Sequence, residues 1–241
     1  MADDNRPAPP VIEHHHRDIQ GGAARAAVFG VSDGLVSNVG LILGVAGADP
    51  APGVVRVAGL AGLIAGAISM AAGEYNSMKV QAELLERELE LERIELRRNP
   101  HVETAELAQI YQSRGIDPDS ARRMAEDLMR DPEVALQAHA REELGIDPES
   151  LGSPIGAATS SFAAFAVGAL VPLAPWLFAA GMAATVASLV AAVVAAVAVG
   201  LAVGRFTERP WPRTVLRQVL FTVIPAGVTY AIGSAVGVGV T

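Results

Sequence analysis

Gly59-LAGLIAGAISMAAGEYNSMKVQAELLERELELERIELRRNPHVETA-Glu106 is the stretch that decides how this chain folds. It opens as an apolar segment dense in Gly and Ala and passes, with no break signal, into a charged helical run from Glu83 to Arg98. One helix is therefore expected to leave a membrane and carry a row of carboxylates into water. Met70 and Glu74 lie one turn apart at the edge of the apolar half. Glu92 with Glu95, and Glu103 with Glu106, form two i,i+3 pairs, each on one helix face. A polar file inside a membrane leading to a carboxylate cluster outside it suggests a device that gathers and moves cations.

Composition agrees with that division. Of 241 residues, 51% are hydrophobic and only 5% aromatic, enough for several packed helices. There is no cysteine, which excludes a disulfide framework and a thiolate metal site. Between Lys79 and Glu149 there are 18 acidic and 10 basic residues, so the net charge of −8 belongs to this segment; the remainder is balanced. An acidic segment repels nucleic acid and suits cations.

Four domains are expected: a polar arm over 1–25, two membrane spans over 26–78, an acidic helical domain over 79–152, and three more spans over 153–241. The arm lacks the apolar core of a signal peptide and carries His14, His15 and His16, which read either as a weak metal site or as a solvated run at the membrane surface. Ala26 to Ala48 is apolar with Asp33 as its one charge, about the 20 residues a span needs. Val57 to Gly73 makes the second span, where Ala58, Gly62, Gly66, Met70 and Glu74 recur every four residues along one face. Gly62 and Gly66 permit close helix contact there.

In the acidic domain, the stem helix should stop at Asn99-Pro100. A second helix covers about 102–114. Gly115-Ile-Asp-Pro-Asp-Ser recurs as Gly145-Ile-Asp-Pro-Glu-Ser, and Asp131-Pro132-Glu133 follows the same pattern: an Asp N-cap, then Pro at the first helical position, then an acid. From Ser153 to Gly204 no residue is charged, too long for one span, and Pro172 with Pro175 is expected to split it into helices over 155–171 and 176–204. Arg205, Arg209, Arg213 and Arg217 precede a last uncharged run from Gln218, with Pro225 inside it. Arg17, Arg25, the acidic domain and this Arg cluster fall on one side of the membrane. The positive-inside rule makes that side the cytoplasm, leaving the C-terminus outside.

Asp33 is costly in a span, about 2.5–3.5 kcal/mol on insertion scales, and so needs a function or a partner such as Ser37. Met70 reads as core filler or as a soft ligand favouring a transition metal over Mg²⁺ or Ca²⁺. Glu74 reads equally as ligand or interfacial anchor. A Glu-rich helix is ordinarily a solvated face with i,i+4 pairs such as Glu83–Arg87. The turn at Asn99-Pro100, however, can fold Glu92 and Glu95 against Glu103 and Glu106. His139 and Glu143, also i,i+4, would supply a third face. Carboxylates with an imidazole suit Fe²⁺, Mn²⁺ or Zn²⁺.

With these residues in place, the chain resembles the vacuolar iron transporter family, as a bacterial member. The matching stretches are Phe29-Gly-Val-Ser-Asp33-Gly-Leu, Gly66-Ala-Ile-Ser-Met70, the acidic domain, and Gly168-Ala-Leu-Val-Pro172-Leu-Ala-Pro175, in similar order over nearly the whole chain after Arg17. The resemblance implies an all-α, five-span homodimer that exports Fe²⁺ from the cytosol in exchange for protons, with its ion path between the first two helices of each subunit. It implies Asp33 and Met70 as membrane ligands, and Glu92, Glu95, Glu103, Glu106 and Glu143 as cytoplasmic metal-binding carboxylates. Two positions depart from the pattern. The eukaryotic members carry a Glu two turns before the Met, where this chain has Gly62; Glu74 is a partial substitute at another depth. Two methionines of the last cytoplasmic helix fall on His139 and Ala140, which moves that site toward N/O ligation and opens the choice between Fe²⁺ and Mn²⁺.

The expected function is thus a secondary transporter, a metal/proton antiporter without a resident cofactor. Its metal is the substrate, and Zn²⁺ can bind the same carboxylates. An Ala- and Arg-rich, Lys-poor composition suits a GC-rich bacterium and hence the inner membrane. Two other classes compete: a membrane-anchored ferritin-like iron oxidase, which needs Glu-x-x-His motifs that the acidic domain lacks, and a metal sensor with no transport path.

Overall fold

A computed structural model describes residues 22–145 and 152–237, with side chains from Val28 onward. Among these residues the chain forms eight helices: α1 Gly22–Gly47, α2 Pro52–Arg98, α3 Pro100–Ser113, α4 Pro118–Leu128, α5 Pro132–Glu142, α6 Pro154–Phe178, α7 Gly181–Phe206 and α8 Trp211–Gly237. Five of them, α1, α2, α6, α7 and α8, are long and apolar enough to cross a membrane. The His14–His16 run and the Asp147 cap motif lie outside the described residues.

The continuity expected of α2 is present. Its 47 residues form one helix, about 70 Å long at 1.5 Å per residue. No residue between Gly59 and Arg98 breaks the ladder, and Pro100 ends it because the residue before a proline is driven out of the helical region. The same proline starts α3 as its first residue, where a missing N–H costs nothing. The two remaining caps also follow the sequence. Asp117 Oδ1 accepts from the Ser120 amide at 3.0 Å. Asp131 Oδ1 accepts from the Glu133 and Val134 amides at 2.9 and 3.3 Å.

The split expected at Pro172 and Pro175 does not occur. Helix α6 runs through both prolines and ends at Phe178. Ser153 caps its start through the Gly156 amide at 3.1 Å. A proline inside a membrane helix is tolerated when neighbours satisfy nearby carbonyls. Pro172 and Pro175 leave the Gly168 and Val171 carbonyls without their helical amides. The carbonyls one residue on are bonded from other helices: Ala169 by Asn38 Nδ2 at 2.7 Å and Pro172 by Ser188 Oγ at 2.6 Å. The chain turns instead at Ala179-Ala180, where Gly181 adopts φ +59° to begin α7. Arg56 of α2 reaches the end of α6 and donates through Nε to the Trp176 carbonyl at 2.6 Å, satisfying one of its orphan acceptors.

Helix α1 is the centre of the apolar bundle. It packs on α6 most extensively, then on α8, α2 and α7. Its approach to α6 depends on two facing glycines: a Cβ at Gly34 would sit 2.2 Å from the Phe165 carbonyl oxygen, and one at Gly168 would sit 2.1 Å from that of Val31. Helix α7 buries Ala184, Ser188, Ala192, Ala196, Gly200 and Gly204, a small residue at nearly every turn. Leu35, Val39 and Leu43 of α1 fill the space opposite Ala192 and Ala196. A separate small core of Leu107, Ala108, Tyr111, Ala121 and Ala125 holds α3 to α4, and α5 leans on the charged half of α2. On that stem the pairing differs in detail from the i,i+4 reading: Glu83 meets Lys79 at 3.5 Å, and both Arg93 and Arg97 turn to Glu90.

Candidate membrane cavity and metal centre

Open space remains between α1 and α2. A cavity of about 300 Å³ is bounded by Asp33, Ser37 and Asn38 of α1, by Gly62, Gly66, Ser69 and Met70 of α2, and by Phe165 of α6. The four-residue spacing of Gly62, Gly66 and Met70 thus lines one wall, as the sequence indicated. Ser37 does not hold the Asp33 carboxylate: its Oγ donates to the Asp33 main-chain carbonyl at 2.6 Å. Among the described residues the Asp33 carboxylate has no ion-pair partner. Asp33 is exposed at the edge of α1 and, with Met70, also lines a second cavity of about 700 Å³ that reaches Gln218, Phe221 and Pro225 of α8. Glu74, one turn beyond Met70, is not part of either lining. A carboxylate, two hydroxyls and a thioether around one space can take a divalent transition metal.

The second constellation is on the charged half of α2. Glu92, Glu103 of α3 and His139 of α5 each present a ligand atom within 4.8 Å of the others. All three are buried, at 5%, 6% and 0% exposure. The fold selects one member of each i,i+3 pair: Glu92 and Glu103 turn inward, while Glu95 and Glu106 stay exposed. Glu143 is also exposed and stands at the rim.

The imidazole geometry bears on what the cluster can hold. His139 Nδ1 lies 2.9 Å from the Ala135 carbonyl, and Nε2 lies 3.3 Å from the Glu103 carbonyl. A neutral ring can donate to only one of two acceptors. With the proton on Nδ1, the Nε2 lone pair faces another acceptor, an arrangement that a cation relieves. Glu92 Oε1 is likewise buried without a hydrogen-bond partner. Burial pushes the Glu92 carboxyl up to about 7; His139 opposes this, and Glu143, Glu103 and Glu95 add to it. Glu103 is raised too, first by burial and then by Glu106. Two carboxylates and one imidazole converge here where cationic charge is wanted. Their N/O donor set fits Mn²⁺, Fe²⁺ or Zn²⁺.

The sequence reading missed two contributors. Asn38 is an uncharged residue in a span, and Gln218 begins an apolar run; neither carries a charge signal.

Comparison with known proteins places the chain. The model of the VIT family matches residues 24–234. The chain is similar to a vacuolar iron transporter of Acanthamoeba castellanii, 42% identical over 167 residues, covering 68% of this chain and 60% of that protein. It is similar also to vacuolar iron transporter 1 of Oryza sativa, 34% identical over 168 residues, covering 68% and 67%. A third relative, vacuolar iron transporter 1 of Arabidopsis thaliana, is 31% identical over 169 residues, covering 69% and 68%. The alignment thus spans about 60% of the amoebal relative's length. Five apolar helices, a cavity between the first two and a family match over nearly all the described residues agree: this chain is a multi-pass membrane protein and belongs to the VIT family.

Proposed function

We propose that this protein exports a divalent transition metal, Fe²⁺ or Mn²⁺, from the cytosol in exchange for protons. The observation that carries the reading is that one unbroken helix, α2, lines a polar cavity at Met70 and contributes Glu92 to the buried cluster, about 33 Å further along. The cluster collects metal from the cytosol, and Asp33 with Met70 passes it through the membrane. The names of the relatives favour iron; the His139 imidazole and two carboxylates serve Mn²⁺ equally well.

Asp33 exposed on an apolar helix also favours a homodimer. A carboxylate facing lipid is costly, and a second copy laid against α1 and α2 would enclose the two cavities between subunits. The basic flanks favour a bacterial inner membrane orientation with the N-terminus and acidic domain in the cytosol and the C-terminus outside. A ferritin-like oxidase gains nothing from the cluster, which offers one imidazole and two carboxylates rather than a paired di-iron set.

Two experiments test this. Reconstituted protein should accumulate Fe²⁺ or Mn²⁺ under a pH gradient, and vesicles that accumulate no more metal than protein-free controls would end the transporter reading. The native absence of cysteine allows the orientation to be read by labelling. Ala51→Cys and Thr241→Cys should react with an impermeant maleimide from outside intact cells, and Asp119→Cys only after lysis. Labelling of Asp119→Cys in intact cells would invert the topology.

A further inference from the structure

Gly62 removes a side chain from the α2 wall of the membrane cavity, and α1 fills the space. A Cβ at Gly62 would stand 2.8 Å from Asn38 Oδ1 and 2.4 Å from Leu41 Cδ2. Asn38 is 2% exposed. Its amide orientation is set by α6, because Nδ2 donates to the Ala169 carbonyl at 2.7 Å. The other half of the amide, Oδ1, is buried and has no hydrogen-bond partner, and Asn38 lines the same cavity as Asp33 and Met70. Burying an acceptor without a partner is unfavourable unless something else supplies positive charge or a donor.

Resting on the reading of this cavity as a metal path, we propose that Asn38 Oδ1 is a metal ligand, the step after Asp33 on the way out. Asn38 follows Asp33 by five residues, about 7.5 Å along the helix axis. With Asp33 nearer the cytosolic end, an ion leaving it meets Asn38 next. Asp33 supplies charge, and Asn38 supplies a neutral oxygen dipole. The neutral ligand coordinates the ion without adding a second charge to hold it, which favours release. An amide oxygen is a hard ligand and raises the standing of Mn²⁺ and Fe²⁺ against softer ions at this depth.

The test is Mn²⁺ flux through the full-length protein in proteoliposomes, with assembly checked by sizing in detergent. Asn38→Leu keeps the bulk and removes the oxygen; flux should fall at least tenfold. Asn38→Asp keeps an oxygen in place and, when ionised, cannot donate to the Ala169 carbonyl. It should lower the KM for Mn²⁺ and, by holding the ion more tightly, pass it at a lower maximal rate than the wild type but well above that of Asn38→Leu. A residue that only ties α1 to α6 through Nδ2 behaves in the opposite way, because Asp and Leu both lose that bond and Asp adds a repulsion. Equal loss in both assembled variants therefore overturns the proposal, as does wild-type flux in Asn38→Leu. If Asn38→Leu does not assemble, Asn38→Ala takes its place with the same expectation. A wild-type protein that carries no Mn²⁺ or Fe²⁺ removes the metal path itself, and the proposal falls with it; normal wild-type flux with an indifferent Asn38 removes only Asn38.

Discussion

Asp33→Asn is expected to abolish metal flux and metal-driven proton movement together. Asn keeps the size and a carbonyl oxygen but neither titrates nor carries charge. At about 4 Å, with an effective dielectric constant near 20, a carboxylate and a monovalent charge attract by about 4 kcal/mol, and a divalent ion by more. Losing that attraction should slow transport on the order of 100- to 1000-fold. A structural role predicts another outcome. Ser37 bonds to the Asp33 main-chain carbonyl rather than its carboxylate, so that contact survives the substitution unchanged. The variant should therefore insert and assemble normally, as sizing in detergent would verify. An assembled Asp33→Asn protein with near-normal pH-driven transport would take Asp33 out of the mechanism. Glu74 would then be the membrane-proximal carboxylate left to couple protons to metal.

The second large effect concerns the buried cluster. Replacing Glu92 with Gln should weaken metal binding to the full-length protein on the order of 100-fold, at the upper end of what even outer partners of a metal site cost. Replacing exposed Glu95 with Gln should change it far less, because water screens that carboxylate. The pH dependence has a definite sign. The Glu92 carboxyl is raised from 4.5 to about 7 in the folded chain. In metal-free protein its contribution is therefore full below 4.5 and is lost as pH rises through about 7. Metal binds the deprotonated form, so affinity should climb with pH up to about 7 and then level. Calorimetry in two buffers of different ionisation enthalpy counts the protons released. Zn²⁺ binding near pH 6 should expel close to one proton from Glu92, and binding above pH 8 almost none. Glu92→Gln should remove that difference. An unchanged proton count would show that Glu92 lies outside the coordination sphere.

Much of this architecture was legible in the residues. The uninterrupted passage from Gly59 to Arg98, the stop at Asn99-Pro100 and the Asp117 and Asp131 caps are local chemistry, and local chemistry is what a sequence displays directly. The misplaced boundary at Pro172 and Pro175 has a tertiary cause. Whether a proline ends a membrane helix depends on the helices packed around it. Here Asn38 and Ser188, far away in the chain, bond the Ala169 and Pro172 carbonyls, each one residue beyond a carbonyl that a proline leaves without its amide. The same holds for the carboxylates. The i,i+3 spacing of Glu92 with Glu95, and of Glu103 with Glu106, is symmetric. Only the packing of α3 and α5 against α2 decides that Glu92 and Glu103 face His139 while their partners face water. Asn38 was silent for a third reason: an uncharged amide in a span becomes informative only when its oxygen proves buried and unpartnered.

Coupled exchange through the α1–α2 cavity is tested most directly by recording metal and protons in the same vesicles. Full-length protein is reconstituted with a metal indicator and a pH indicator in the lumen, and an Fe²⁺ or Mn²⁺ gradient is imposed with no initial pH difference. Antiport predicts that metal entry is matched in time by proton exit, so the lumen becomes alkaline, and that Asp33→Asn silences both signals. Metal entry with a flat pH trace, or an Asp33→Asn protein that still shows both signals, would contradict it.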